Sequence, residues 1–133
     1  MLKTPLFKHA LALLFVIGVL DLIAAVFHLH WEYWWYDVIL HFLGGAWATM
    51  TVILVWHYYS NLSASDRLKF VKIGVIGALT IGFLWEIYEL ISRVTSFSDG
   101  IFYWMDTASD LLMDICGGFF GALYSFRILS KNG

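Results

Sequence analysis

Carboxylates at helical spacing are the residues of this sequence that could do chemistry. Asp106, Asp110 and Asp114 lie four residues apart in "DTASDLLMD", and Asp37 and His41 are separated by the same interval. In an α-helix, this spacing brings side chains onto one face. Carboxylates combined with a histidine are suitable ligands for divalent ions such as Mg²⁺, Mn²⁺, Zn²⁺ or Fe²⁺. These positions therefore predict a divalent metal site.

A third segment, "WEIYELISR", adds Glu86 and Glu89, followed by the basic residue Arg93. At ~1.5 Å of rise per residue, Glu86 lies ~10 Å and Glu89 ~6 Å from Arg93 along a helix. His41 lies ~6 Å from Asp37 by the same measure. Three segments therefore carry ionisable groups at similar depth, a coincidence that is harder to dismiss than any single motif.

The composition is that of a membrane protein. The chain has 133 residues, of which 61% are hydrophobic and 14% charged, and its mean hydropathy is +0.77. Soluble domains are about 45–50% apolar and about 25% charged. The length allows one domain. The few basic residues are scattered, so no nucleic-acid partner is indicated.

Four apolar runs, at about 10–29, 37–59, 70–91 and 108–129, supply the elements that must position these groups. Each is close to the ~20 residues that a helix needs to cross the ~30 Å hydrocarbon layer. The runs are too long and too apolar for barrel strands. We therefore predict an all-α, polytopic membrane protein in which residues 1–133 form a single domain of four transmembrane helices. Lys3 and Lys8 before the first run also fit a signal peptide, but the length of the run favours a retained helix.

The basic residues predict the orientation of the helices. Lys3 and Lys8 precede the first helix, a second basic group lies between helices 2 and 3, and Arg127 and Lys131 end the chain. The positive-inside rule then places both termini in the cytoplasm. Of the ten acidic residues only Asp66 falls on the cytoplasmic side, so the carboxylates are expected in the outer half of the membrane.

Burying these carboxylates is expensive. An Asp near a helix centre costs roughly 2.5–3.5 kcal/mol on insertion scales. Five or six such groups cost on the order of 10 kcal/mol, which rivals the ~5–15 kcal/mol stability of a domain. They must therefore face inward and be neutralised. Arg93 can pair with one of them, and the others need a bound cation, shared protons or water.

Simpler structural roles compete with a metal site at several positions. Asp37 could be the N-cap of helix 2, and Thr107 with Asp110 fits a capping box. His41 alone could be a hydrogen-bonded core histidine. Asp21, in helix 1, either forms a hydrogen bond between helices or joins the acidic cluster.

The segments "YDVILHFLGG", "WEIYE" and "DTASDLLMDICGGFFG" resemble the YjdF-like family of bacterial inner-membrane proteins and, more loosely, VanZ-like membrane proteins. The resemblance covers roughly residues 36–121. It implies a bacterial inner (plasma) membrane protein with a polar site, and it implies no reaction. The VanZ-like pattern tends to have Gln at the position of Glu89 and Asn at that of Asp114, so this site is more acidic. The motif elements fall on Asp37, His41, Gly45, Glu86, Glu89, Asp106, Asp110, Asp114, Gly117 and Gly121.

The first functional hypothesis is a metal-dependent hydrolase at the outer leaflet, acting on a lipid or lipid-linked phosphate. It assigns Glu89 and Asp114 to the general base or to a supporting shell, and Arg93 to the substrate phosphate. The expected metal ligands are Asp37, His41, Glu86, Asp106 and Asp110.

Two other classes of function remain open. Intramembrane acids also mark ion or proton paths, which predicts a transporter subunit. The cytoplasmic halves of helices 2 and 3 carry few polar residues, which argues against a complete path through one chain, although a homo-oligomer could supply the rest. The third hypothesis is a non-catalytic binding or accessory protein. Metal content separates it from the first, and a flux assay in liposomes tests transport.

Overall fold

A computed structural model describes residues 4–60 and 66–132, and within these ranges the protein is helical. Lys3, used above for the orientation, lies outside them. The short α2 turns the chain between the first two long helices, and a 3₁₀ turn precedes the last. The elements are α1 (Pro5–Phe27), α2 (Leu29–Glu32), α3 (Trp34–Ser60), α4 (Arg67–Ser92), a 3₁₀ turn (Phe97–Asp99) and α5 (Ile101–Asn132).

The all-α prediction is confirmed. In the described part of the chain, four helices are long and apolar enough to cross a membrane: α1, α3, α4 and α5. Each begins earlier in the sequence than its apolar run, because polar and aromatic residues at the ends also adopt helical geometry. The difference is largest for α5, which begins at Ile101, directly after Gly100 with its φ of 64°.

The early start of α5 corrects one interpretation. Thr107 lies inside the helix, so it cannot form a capping box with Asp110. Asp37 likewise lies in the first turn of α3, which starts at Trp34, and is not its N-cap. A helix terminus therefore does not explain Asp110, whereas Asp37 lies in a first turn, where the helix dipole favours an acid.

Helices α3, α4 and α5 form the centre of the bundle, and α1 packs mainly against α3. Close contacts at Gly82–Asp114, Gly118–Ala78 and Gly74–Ala122 advance in opposite directions along α4 and α5, so these two helices are antiparallel. Contacts of Gly117 with Phe42 and of Gly121 with Ala46 advance together, so α3 and α5 are parallel. The start of α3, the end of α4 and the start of α5 therefore meet at one end of the bundle.

Glycines allow the backbones of α3 and α5 to touch. A Cβ atom at Gly45 would lie 2.7 Å from the Cα of Asp114, and one at Gly117 would lie 2.8 Å from the carbonyl carbon of Phe42. Small residues are what permits such approach between helices in lipid. Because Gly45 is one turn after His41, this contact holds the polar stretch of α5 against the histidine.

The apolar core lies towards the other end of the bundle. There, α1 packs against α3 and touches α5, and Phe70 packs edge-on against Phe126 with ring centroids 5.4 Å apart. The buried core consists of Leu6, Ala10, Met50, Ile53, Leu54, Phe70, Ala122 and Leu129. The end at which α3 and α5 begin and α4 ends, called the polar end below, is therefore separate from the main apolar core.

Candidate metal centre

The first two turns of α3 supply two adjacent side chains, Asp37 and His41, which the four-residue interval places on one face. The His41 Nε2 atom lies 4.0 Å from Asp37 Oδ2 and also 4.0 Å from Asp110 Oδ2 of α5. One ligand atom from each of these three residues can be chosen so that all lie within 4.8 Å of one another. Two separate helices therefore converge on one imidazole nitrogen.

The other nitrogen of His41 faces a different carboxylate. Nδ1 lies 3.4 Å from Asp114 Oδ2. If Nδ1 carries the proton, it donates to Asp114 and leaves the Nε2 lone pair directed towards Asp37 and Asp110. This division, with one nitrogen on a supporting carboxylate and the other free to bind an ion, is the usual arrangement of a metal-binding histidine.

The glycine contacts explain why Asp114 reaches His41. Asp114 is 3% exposed, and its carboxylate occupies the space beside Gly82 of α4, where a Cβ atom would lie 2.7 Å from Asp114 Cγ. On the other side, its backbone packs against Gly45. The carboxylate is thus confined between α3 and α4, and it has little freedom to turn away from the histidine.

Glu86 is buried from α4 at the same end, with only 4% of its surface exposed. Its Oε2 accepts a hydrogen bond of 2.7 Å from the Thr107 hydroxyl. Its Oε1 is buried and has no hydrogen-bond partner in the described part of the chain. A buried carboxylate oxygen without a donor is costly, so this atom needs a proton or a cation.

The remaining sequence-predicted residues lie around this group. Glu89 accepts a hydrogen bond of 2.8 Å from Trp85 Nε1 on the surface of α4. Asp106 is exposed, one turn before Asp110, and borders a cleft. Arg93 is exposed and terminates α4 in a left-handed conformation with φ of 59°. Asp21, on α1, is exposed and lies outside the convergent group.

Of the five expected ligands, the structure brings Asp37, His41 and Asp110 together. Glu86 and Asp106 belong to the same end of the bundle but not to this group of converging atoms. Sequence reasoning missed Thr107 as the partner of Glu86. The sequence did contain a signal for this contact. Thr107 lies about one helical turn from Asp110, and Glu86 is expected at a similar depth in the membrane.

The donor set fits a divalent ion. Ligand atoms that bind one ion at about 2.1 Å each can lie at most about 4.2 Å apart. The two distances from His41 Nε2, at 4.0 Å, meet this limit, whereas the group as a whole extends to 4.8 Å, so a small side-chain rotation would have to accompany binding. Glu86 Oε1, which needs a proton or a cation, lies at the same end of the bundle. A nitrogen with two carboxylates suits Zn²⁺, Mn²⁺ or Fe²⁺ better than the oxygen-only preference of Ca²⁺.

Comparison with curated proteins gave no match, and comparison with solved structures gave none. Residues 2–131 match a family described as "Predicted membrane protein (DUF2238)". This match confirms the membrane-protein part of the resemblance and extends it over nearly the whole chain, whereas the YjdF-like assignment stays a prediction. The chain, with its four candidate membrane spans and its convergent Asp–His–Asp group, belongs to the DUF2238 family of membrane proteins.

Proposed function

We propose that this protein is a membrane metalloenzyme that binds one divalent transition metal through Asp37, His41 and Asp110 and hydrolyses a lipid or lipid-linked phosphate. The observation that carries the proposal is the division of the His41 ring, with Nδ1 on Asp114 and Nε2 between two carboxylates. A histidine that only formed an ion pair would need one acid, and this one has three around it.

The proposed chemistry is the transfer of a phosphoryl group to water. A metal at this site supplies a polarised phosphate oxygen or a water of lowered pKa. The water oxygen bonds to phosphorus, the phosphorus–oxygen bond to the lipid breaks, and the departing oxygen takes up a proton. Glu89 is the proposed general base, Asp114 positions His41, and Arg93 binds the phosphate.

The proposed setting is a bacterial inner membrane, with both termini in the cytoplasm and the metal site towards the outer leaflet. The basic residues at the opposite end of the bundle support this orientation through the positive-inside rule. A substrate with a lipid tail would reach the site sideways from the bilayer, since the polar groups lie at one end of the spans.

Transport is less well supported, because the polar residues do not continue through the bundle. Beyond the site, the buried hydroxyls of Thr49 and Ser125 donate to the carbonyl oxygens of Gly74 and Gly121, at 2.8 and 2.7 Å. Both hydroxyl groups are therefore engaged with helix backbone. Gly117, Gly118 and Gly121 close the space between the helices there. Among the described residues, an ion would meet no row of free ligands in this half of the bundle.

Metal content is the decisive measurement. The protein is purified in detergent, stripped with a chelator and titrated with Zn²⁺, Mn²⁺ and Co²⁺, and bound metal is counted by mass spectrometry. We expect about one ion per chain, since one group of three possible ligands converges among the described residues. His41→Gln and Asp110→Asn should each lower the affinity by at least about 100-fold, because an atom that would bind the ion directly is lost and supporting contacts alone are worth about 10–100-fold.

Asp21→Asn is the matched control, since it removes an acid from a membrane span outside the convergent group, and it should bind metal as the wild type does. Circular dichroism checks that every variant stays helical. Absence of metal from the folded wild type with all three ions contradicts the metal site. Normal metal binding without release of any water-soluble phosphate or headgroup phosphate from vesicles that contain phospholipid and a lipid-linked phosphate contradicts the hydrolase and leaves a binding or accessory protein.

A further inference from the structure

Glu86 is a buried acid that the proposed metal ion leaves without compensation. Only 4% of its surface is exposed, and its Oε1 atom has no hydrogen-bond partner in the described part of the chain. The other buried acids described at the polar end, Asp110 and Asp114, both lie beside His41. The proposed ion compensates the first of them and the ring proton on Nδ1 the second, so the charge of Glu86 remains.

The register of α4 against α5 places Glu86 level with Asp110. Close contacts between these antiparallel helices recur every four residues: Gly74 with Ala122, Ala78 with Gly118, and Gly82 with Asp114. Four residues make about one helical turn, so each step keeps to the same faces of both helices. One further step in this series pairs Glu86 with Asp110.

A hydrogen bond holds the Glu86 carboxylate against α5. Its Oε2 atom accepts this bond from the Thr107 hydroxyl at 2.7 Å, and Thr107 lies three residues before Asp110, on the same face of the helix. Glu86 is also close enough to Asp110 and to Asp114 for each pair to repel. The unpartnered oxygen of Glu86 therefore belongs to the buried space that these two carboxylates occupy.

The number of ligand residues limits which ion could compensate Glu86. Only one group of three converges in the described part of the chain, and Glu86 is not in it. An ion at Glu86 would therefore have two protein ligands, Glu86 and Asp110, which both offer oxygen. Mg²⁺ is commonly bound by one or two carboxylates and completes its octahedron with water and substrate phosphate, and Mn²⁺ accepts the same oxygen ligands.

We propose that the polar end binds a second divalent cation, Mg²⁺ or Mn²⁺, between Glu86 and Asp110, with Asp110 shared between the two ions. Two ions about 3.5–4 Å apart are the arrangement that stabilises both the attacking and the leaving oxygen in phosphate hydrolysis. The inference rests on the proposed function, because Asp110 is also a ligand of the first ion. The second ion has two protein ligands instead of three, so it is the weaker one, and at limiting metal the protein holds only the first.

Mn²⁺ is the probe for the second site, because its paramagnetic signal reports binding to protein that already holds zinc. The protein in detergent is loaded with one equivalent of Zn²⁺ and titrated with Mn²⁺. Free Mn²⁺ is measured by electron paramagnetic resonance, and zinc by mass spectrometry. We expect the wild type to keep its zinc and to bind about one Mn²⁺ per chain. In Glu86→Gln, the zinc content should stay the same and the affinity for Mn²⁺ should fall at least about tenfold, because a direct ligand is lost.

Two further variants separate this effect from a general loss of structure. Glu32→Gln makes the same chemical change at an exposed residue that ends α2, and it should bind both ions as the wild type does. Thr107→Val removes the hydroxyl group that holds Glu86 Oε2 but keeps the carboxylate. It should therefore lower the affinity for Mn²⁺ less than Glu86→Gln does. Circular dichroism checks that each variant stays helical.

Each alternative result has a distinct meaning. A zinc-loaded wild type that binds no Mn²⁺ overturns the inference, and Glu86 then carries a proton. Equal Mn²⁺ binding by the wild type and Glu86→Gln also overturns it. Loss of zinc from Glu86→Gln assigns Glu86 to the first ion and leaves no second one. A wild type that binds no zinc but binds one Mn²⁺ through Glu86 rejects the proposed function and retains the cation at Glu86.

Discussion

The two ends of the bundle bury polar side chains in different ways. Towards the apolar end, Thr49 and Ser125 are fully buried, and each hydroxyl group donates to a helix carbonyl oxygen. At the other end His41, Asp110 and Asp114 are buried almost as deeply, and the contacts that bring them together are with one another. Both ends are tightly packed around glycines.

The difference follows from what each side chain can donate. A hydroxyl group has a proton to give, and a helix carbonyl can accept a second hydrogen bond. A carboxylate only accepts, and in the middle of a helix the backbone N–H groups are already used. A carboxylate in a membrane span therefore needs a partner from another helix, a proton or an ion. Close packing alone therefore does not account for the buried carboxylates at the polar end.

The largest effect is expected at Gly45, where the close contact between α3 and α5 places Asp114 beside His41. Gly45→Ala should destabilise the protein by about 1–3 kcal/mol, the usual cost of overpacking, because the new methyl group overlaps the backbone of Asp114. It should also weaken metal binding by more than about 100-fold, because it displaces α5, which carries Asp110 as well as Asp114, from His41. Thermal unfolding in detergent and metal titration measure the two effects.

Gly44→Ala is the control, since a Cβ atom at Gly44 meets nothing within 4 Å. It should leave metal binding intact and stabilise the helix by up to about 1 kcal/mol. Equal effects of the two substitutions would mean that close packing of α3 and α5 does not position the site.

The next effect concerns the support of the histidine. Asp114→Ala removes the acceptor of His41 Nδ1 and should weaken metal binding by about 10–100-fold, as is typical for carboxylates that orient a metal-binding histidine. Asp114→Asn keeps an oxygen acceptor at the same place and should lose less. If Asp114→Ala bound metal normally and lost only hydrolysis, Asp114 would instead be a catalytic group.

The smallest effect is expected at the apolar end. Thr49→Val removes the hydroxyl group that bonds to Gly74 and should cost about 1 kcal/mol or less, since the carbonyl retains its helical partner. Metal binding should not change. A loss of metal in this variant would show that the two ends are coupled, and it would revive the transport hypothesis.

The sequence predicted the helices and the residues that meet. Asp37 and His41 share a face because of their spacing, and the matched depth of acids on three spans predicted convergence at one end. Both inferences depend on helical periodicity and on the cost of charge in lipid, which the sequence alone determines. The four long helices followed from apolar length in the same way.

The details of the centre could not be predicted, because they depend on how the helices cross. Whether Asp114 faces Nδ1 or Nε2 of His41 is fixed by the contact at Gly45 and by the space at Gly82. Thr107 fits a cap only if the helix begins with the apolar run at about residue 108, and the aromatic segment from Ile101 is helical as well. With the helix extended, the same hydroxyl group faces Glu86.

The parallel contact of α3 with α5 has a consequence for biogenesis. The proposed ligands Asp37 and Asp110 are separated by about half the chain, and Asp110 belongs to α5, which leaves the ribosome after α1, α3 and α4. Until α5 has docked beside α3, the proposed metal site would be incomplete. Ion capture would therefore act late in assembly and lock the final span in place, by about 2.7 kcal/mol at a free ion concentration 100 times the Kd.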